Sequence, residues 1–567
     1  MKKILRKALL IFCAVAFCGI MSSCSFLLSA LLEGGTGTTT SNGKDTTIKT
    51  SNYKGQASKT WQVTDDGTVY FVKYNTSSTT VQGQYTGYVS ATKAKAAEVD
   101  EAEEVEQIRP SLLRDPEALY NDNEAINRMN EELAALSNNL ARERGAVVNV
   151  EDAVRSSAAS VGSTRNFNLL DKTQTKTTSY KATCKAVGSH CNVWYVDNAN
   201  TGLTKLVDEK DMDFSSLATK FDQIYEKEIG IMGTNKYTSH EQRYVAASDK
   251  IQIVVCDCMG DAKKDQDSGT FGYQSMADLY TNTYLQTLPV SYGWSKIKSN
   301  EDHIIYLDSL FFSYKGKTSG KTTYNPKGYD AQDYIYSTIS HEFNHLLNNV
   351  QKYIINNSGT METWFTEMLS LISEDMFMDY LGIEAIASAR GRLNYFDEGY
   401  NYGFTVWGKN DDVYFSYANA FAYGAYLCRN YGGEKLIKEI ATNSKVNGEA
   451  ITAALNKCGY TSMTFEDTLK EFAWVLINTK TTGITLNKSG TTLTSGIKLS
   501  PINLVYSETF GSTVEKYEPK IYAKDTVNDI YPNGFTIHKV GTKLKSFTYY
   551  AGINAGKNSI TFDVIYN

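Results

Sequence analysis

The sequence predicts an α+β fold, and three observations carry that expectation. Short apolar or alternating runs that read as strands come before a group of helical stretches in the middle of the chain. One of those helical stretches runs with no proline or glycine between Asp330 and Ser358. Both ends of the chain carry short alternating runs broken by Gly, Asn, Ser and Thr, which read as β units. At 567 residues the chain exceeds a single core, so several domains are expected. Hydrophobic content of 42% and charged content of 21% fit a globular protein. A net charge of −6 and a pI near 5.7 argue against nucleic acid as a partner.

Residues 1–23 read as an export signal. Lys2, Lys3, Arg6 and Lys7 precede an apolar run over residues 8–20, which is too short to span a bilayer. Met21-Ser22-Ser23-Cys24 resembles a bacterial lipobox, which implies acylation of the Cys24 thiol and a membrane anchor on the cell envelope. Ordinary signal cleavage nearby is the alternative. Residues 24–50 read as a flexible tether. Residues 51–95 read as a small β unit, with Trp61, Val63, Val69, Phe71, Tyr74, Val81 and Tyr85 in alternating runs.

Residues 96–150 begin with an acidic run, Glu98 to Glu106, that reads as a solvated face. A helical stripe follows at Ile126, Met129, Leu133, Leu136 and Leu140, suited to docking on a neighbouring domain. The main domain is expected over residues 160–480. Residues 193–196, 251–256 and 304–307 read as strands, and residues 214–229 as an amphipathic helix between the first two. Helices are expected again at 418–429, 433–441, 449–457 and 465–477, with Gly432 and Gly459 as stops. Residues 481–567 return to short strands, and a C-terminal β-sandwich is expected.

The chemistry concentrates in His341-Glu342-Phe343-Asn344-His345. Residues four apart share a helix face, so both imidazoles can reach one metal ion. Imidazole and carboxylate donors in a tetrahedral shell suit Zn2+. Glu342, beside the first ligand, is placed to act as general base on a water at the metal. Glu367, 22 positions past His345, falls within the apolar periodicity of the next helix and is the preferred third ligand over Glu362. Glu374 and Asp375 return to the face of Glu367 and are candidates to orient the ligands from behind.

This motif, followed by a helical Glu, resembles the gluzincin metallopeptidases. Ser299-Asn300-Glu301, Ile304-Ile305-Tyr306-Leu307-Asp308, Ser337-Thr338-Ile339-Ser340-His341-Glu342-Phe343 and Trp364-Phe365-Thr366-Glu367 resemble the hyicolysin-like peptidases. Residues 417–432 and 531–541 look like later parts of that group. The resemblance covers residues 190–567 and implies a zincin-type domain, hydrolysis of protein or peptide substrates and one zinc ion. It also implies that Tyr417 stabilises the oxyanion, with Tyr423 as the second candidate. Thermolysin-like members carry an Asp four residues after the third ligand, where this chain has Leu371.

Nine cysteines are present. Cys13 and Cys18 lie in the signal, and Cys184 and Cys191, flanking a hairpin-like turn, are the expected disulfide. Cys256 and Cys258 read as buried thiols, and Cys428 and Cys458 are left undecided. His190, His240, His303 and His538 have no partner at ligand spacing and read as surface or hydrogen-bonded residues. The competing function is a surface-anchored adhesion or binding lipoprotein whose zinc site is structural or vestigial. Retention of Glu342 beside all three ligands argues for the enzyme, since a binding module has no use for the base.

Overall fold

A computed structural model describes residues 48–51, 58–63, 67–93, 126, 129–136, 148–149, 157–171, 176–197, 207, 209–239, 243–262, 269–288, 296–313, 332–407, 413–477, 485–486, 488, 491–493, 495–510, 513–551 and 560–566. The export signal with Cys24, nearly all of the tether, the acidic run and His240 lie outside the described residues.

The two ends of the chain fold together. Strands β1 (Ile48–Ser51), β2 (Ser58–Gln62), β3 (Thr68–Asn75) and β4 (Tyr88–Lys93) come from the N-terminal region. The main domain supplies β5 (Thr164–Leu170), β6 (Thr177–Val187), β7 (Cys191–Tyr195), β8 (Ile251–Cys256), β9 (Gly272–Tyr273) and β10 (Ile304–Asp308). The C-terminal region supplies β11 (Tyr522–Ala523), β12 (Phe535–Thr542), β13 (Leu544–Tyr550) and β14 (Ile560–Tyr566). One sheet runs β1-β14-β3-β12-β11 and a smaller one β2-β13-β4. Val69, Phe71, Val89, Val540, Leu544, Phe547, Tyr549 and Val564 fill the space they share. The expected N-terminal β unit and C-terminal sandwich are thus one module, because β3 pairs antiparallel with both β12 and β14. Residues 81–85, expected as strand, instead form a bridge at Val81 and a short helix at Gly83–Thr86.

The six-stranded sheet of the main domain runs β9-β10-β8-β7-β6-β5. β8 is parallel to both β7 and β10 and buried along its whole length, as its run of Ile, Val and Cys demands for a strand covered on both faces. β9 is antiparallel to β10 and forms one edge. The connection from β7 to β8 carries α1 (Phe214–Met232), capped by Asp213, whose carboxylate accepts from Ser216 N at 2.9 Å.

Two helices form the layer that carries the motif. α2 (Gln332–Asn348) is buried along nearly its whole length and continues as a π-helix, Asn349–Ile355, with Asn356 N donating to Gln351 O at 3.0 Å. After a turn through Asn357 at φ 45°, α3 (Thr363–Leu381) packs against α2 and ends at Gly382 in the left-handed region. α4 (Val413–Asn430) packs on α3 at close range: a Cβ on Gly424 would lie 2.6 Å from Ile372 Cδ1. α5 (Glu434–Thr442), α6 (Asn447–Lys457) and α7 (Phe465–Phe472) complete the helical part, with Thr464 and Asp467 closing a capping box on α7. The helical residues 129–136 dock on this core through Leu133 and Ala134, both fully buried.

The expected Cys184–Cys191 disulfide is not formed, and both thiols are free and buried. The hairpin register sets Cys184 opposite Trp194, while Cys191 lies past the last pair, Val187 and Asn192. Cys256 and Cys258 are buried thiols as expected, and Cys428 and Cys458 are also free.

Candidate metal centre

The i,i+4 spacing on α2 brings the two imidazoles together, with His345 Nε2 3.1 Å from His341 Nε2. Glu367, projecting from α3, lies 3.1 Å from His341 Nε2 through Oε2 and 3.5 Å from His345 Nε2 through Oε1. A zinc–nitrogen bond of about 2.0–2.1 Å in a tetrahedron separates neighbouring donors by about 3.3 Å. The three observed separations bracket that value, and two imidazoles with one carboxylate are the donor types zinc takes, so the residues present fit the ion. Glu362, the competing ligand, is solvent-exposed at the N-cap of α3 and accepts a hydrogen bond from Trp364 Nε1.

Behind His341 stands Glu374, whose Oε1 is 2.7 Å from Nδ1. Its other oxygen accepts from Ser337 Oγ at 3.0 Å and from Arg392 at 3.2 Å. Nδ1 is thereby engaged by a carboxylate, which leaves Nε2 turned to the ligand cluster and fixes the ring. Burial alone would lower the His341 pKa, but hydrogen bonds and charge from Glu367 and Glu374 raise it to about 10. Burial, only partly opposed by Glu367, lowers that of His345. Against the desolvation that would raise it, the neighbouring histidines hold the Glu367 carboxyl well below the usual range. The same holds for Glu374, kept low by Arg392 and His341. A metal entering this cluster must displace the proton on His341, so uptake is coupled to proton release.

Asp375 does not share the role expected of it. One helical step from Glu374, it points elsewhere and takes Arg390 Nε at 2.7 Å and Arg429 at 2.8 Å, tying α3 to α4 and the turn before it. Tyr417 is buried on α4 with its ring beside Trp407 and 5.8 Å from the Arg392 guanidinium, so it stands behind Glu374 through Arg392. Tyr423 bonds Thr468 at 2.7 Å within an aromatic cluster and is a core residue.

Glu342 is fully buried beside the ligands, and the edge strand passes directly over it. A Cβ on Gly272 of β9 would stand 2.7 Å from Tyr306 O, 2.8 Å from Thr338 Cγ2 and 3.0 Å from Glu342 Cγ. Only glycine allows that approach. Arg392 and Gly272 escaped the sequence reading, because neither belongs to a spacing pattern; the pairing of β9 and the fold of the turn at Ala389–Arg392 place them.

The other described histidines sit in local contacts. His190 stacks on Tyr225, His303 lies 3.4 Å from Tyr237 Oη, and His538 bonds Ala523 O and Thr536 Oγ1, each at 2.9 Å. Asp257, Asp261 and Asp308 bring carboxylate oxygens within 4.8 Å of one another in a second group. Asp308 accepts from the backbone of Cys258, Leu310 and Phe311, and burial, with the other two carboxylates, pushes its pKa well up.

No family model matches the sequence. Among characterised proteins, the chain is 23% identical over 326 residues to the neutral metalloprotease ShpI of Staphylococcus hyicus. The similarity covers 56% of this chain and 64% of that protein, less than two thirds of its length. This distant likeness to a metalloprotease agrees with the kind of site that α2 and α3 assemble.

Proposed function

We propose that the protein is a zinc-dependent endopeptidase of the gluzincin type, acting on proteins outside the cytoplasm. The observation that carries the reading is the convergence of His341, His345 and Glu367 at tetrahedral donor spacing beside a buried Glu342. Zinc held there supplies Lewis-acid polarisation and acidifies water. The chain's own residues do the rest. Glu342 takes a proton from the attacking water as its oxygen bonds to the scissile carbonyl carbon. As the C–N bond breaks, Glu342 hands that proton to the leaving amine. Glu374, braced by Arg392, holds His341 in orientation, with Tyr417 packed behind Arg392.

Among the described residues no helix is long and apolar enough to cross a membrane. Anchoring through acylated Cys24 is proposed from the sequence alone; Cys24→Ala should move the protein from the membrane fraction to the soluble one. The reading as an adhesion or binding lipoprotein has no observation in its favour here.

The decisive experiment is metal analysis alongside digestion of an unfolded protein mixture, with the peptide products sequenced. The purified protein should carry about one zinc per chain and cut internal peptide bonds. His345→Ala should lose both properties; full zinc occupancy in that variant would sink the ligand assignment.

A further inference from the structure

The small sheet of the β module, β2-β13-β4, has two unlike faces, because side chains alternate along each strand. Trp61, Val89, Phe547 and Tyr549 turn inward to the module's core, with the Trp61 and Phe547 rings stacked at 5.0 Å. The strand register gives the opposite face. Thr548 on the central strand pairs with Thr60 on one side and Ser90 on the other, and its Oγ1 lies 2.8 Å from Thr60 Oγ1. Two residues along, Tyr550 is flanked by Ser58 and Tyr88. In the other direction Ser546 is flanked by Gln62 and Thr92. The residues from β2 and β4 are exposed, and Ser546 and Thr548 between them are half-buried. Every side chain of this three-by-three grid ends in a hydroxyl or a carboxamide, and none carries a charge.

Two features set the grid apart from an ordinary polar surface. Tyr88 and Tyr550 are 44% and 38% exposed, and their rings stack on each other at 5.0 Å with 18° between planes. They form an aromatic platform at one end of the hydroxyl rows. The second feature is the missing charge. At the chain's 21% charged content about two of nine side chains should be charged, and more than that at exposed positions. Lys59, between Ser58 and Thr60, alternates to the inner side and lays its ammonium over the Trp61 ring, 5.0 Å from the centroid. Lys545 sits in the bulge beyond Ser546, outside the grid.

We propose that this face of the β module binds an uncharged polysaccharide, with Tyr88 and Tyr550 as the stacking platform and the hydroxyl rows as hydrogen-bond partners. It is a function beyond the peptidase reading and does not depend on it. A neutral face offers nothing to offset a phosphate, sulfate or carboxylate, so charge complementarity calls for a neutral occupant. The Ser, Thr and Tyr hydroxyls and the Gln62 carboxamide both donate and accept, as sugar hydroxyls do. An exposed aromatic ring suits the C–H face of a pyranose, whose hydroxyls then point outward to the neighbouring rows. The grid spans about 10 by 14 Å, or roughly 140 Å², far below the ~800 Å² per partner of a stable protein interface. Hydroxyls that recur at every second residue suit a ligand that itself repeats.

The test titrates the full chain by calorimetry with linear neutral oligomers: maltohexaose, cellohexaose and chitohexaose, each beside its disaccharide. At least one hexamer should bind, more tightly than its disaccharide, and equally at low and high salt because no charge takes part. Tyr88→Ala should weaken that binding by about fivefold to tenfold, the loss of a stacked ring, while Tyr88→Phe keeps most of it. Thr60→Val, which keeps the shape and removes a hydroxyl, should weaken it roughly threefold. Thermal unfolding of each variant shows that it is folded, and Thr60→Val keeps the test open if Tyr88→Ala is not. No binding of any hexamer to the wild type, binding that weakens with salt, or unchanged affinity in the folded variants would overturn the proposal. Tighter binding of a branched glycan released from protein would overturn it in favour of a glycoprotein. A dimer in ultracentrifugation that Tyr88→Ala dissolves would overturn it in favour of a second copy of this chain.

Discussion

His341 in the metal centre and His538 in the β module are equally withdrawn from water, at 3% and 0% exposure, yet they titrate in opposite directions. His341 is raised to about 10 and His538 is lowered to about 3. Burial disfavours the imidazolium in both, so it cannot be the cause of the difference. The neighbours are. Glu367 and Glu374 bracket the two nitrogens of His341, whereas His538 faces the Ala523 carbonyl, the Thr536 hydroxyl and the nearby Lys73 ammonium. The comparison teaches that a buried histidine marks a reactive site here only where carboxylates surround it. A buried histidine facing a carbonyl, a hydroxyl and an ammonium is a structural residue that resists protonation.

The sharpest way to separate the two regions is Glu342→Gln. It removes the base while leaving ligands and size intact, so kcat should fall by about two orders of magnitude or more, with zinc content unchanged and KM moved less. Turnover measured beside metal analysis checks it, and retained activity with zinc present would place the chemistry elsewhere. His538→Gln should leave that turnover alone and act on stability. Between about pH 6.5 and 3 the unfolded chain binds a proton that folded His538 refuses, so stability falls as pH drops through that window and is flat above it. The full effect is on the order of 5 kcal/mol. Urea midpoints across a pH series should show a shallower acid limb in the variant.

Glu374→Gln tests the comparison from the other side, since it takes one carboxylate away from His341. Zinc affinity should fall by about tenfold to a hundredfold, the usual cost of losing a group that orients a ligand. Competition with a chelator measures it; an unchanged affinity would mean that the ring keeps its orientation without a carboxylate on Nδ1. The smallest effect is expected for Tyr423→Phe. It loses one buried hydrogen bond to Thr468, at a cost of about 1 kcal/mol in thermal unfolding, and turnover should stay at the wild-type level.

The sequence by itself determined what depends on neighbours along the chain. Residues 251–256 and 304–307 could be read as strands because continuous apolar runs bounded by polar ones are what buried parallel strands need. The pairing of His341 with His345, and the reach of Glu367, follow from helical periodicity, which is a local property. Glu374 behind His341 could be read from the same arithmetic. Asp375 could not be separated from it, since adjacent helical positions diverge by about 100° and only the positions of Arg390 and Arg429 decide which one faces the ligands.

Tertiary structure alone decided the rest. The alternation of residues 68–75 and 535–542 announces two strands but not that Val72 pairs with Ile537, because a strand pattern encodes which face is buried and not which strand is its partner. Cys184 and Cys191 bracket a turn suited to a disulfide, yet the hairpin register offsets them. Arg392 and Gly272 carry no spacing signal, since each acts on residues brought to it from distant parts of the chain. Loop closure and sheet pairing put them there, and the free energy that does so is spread over the whole core rather than written beside them in the sequence.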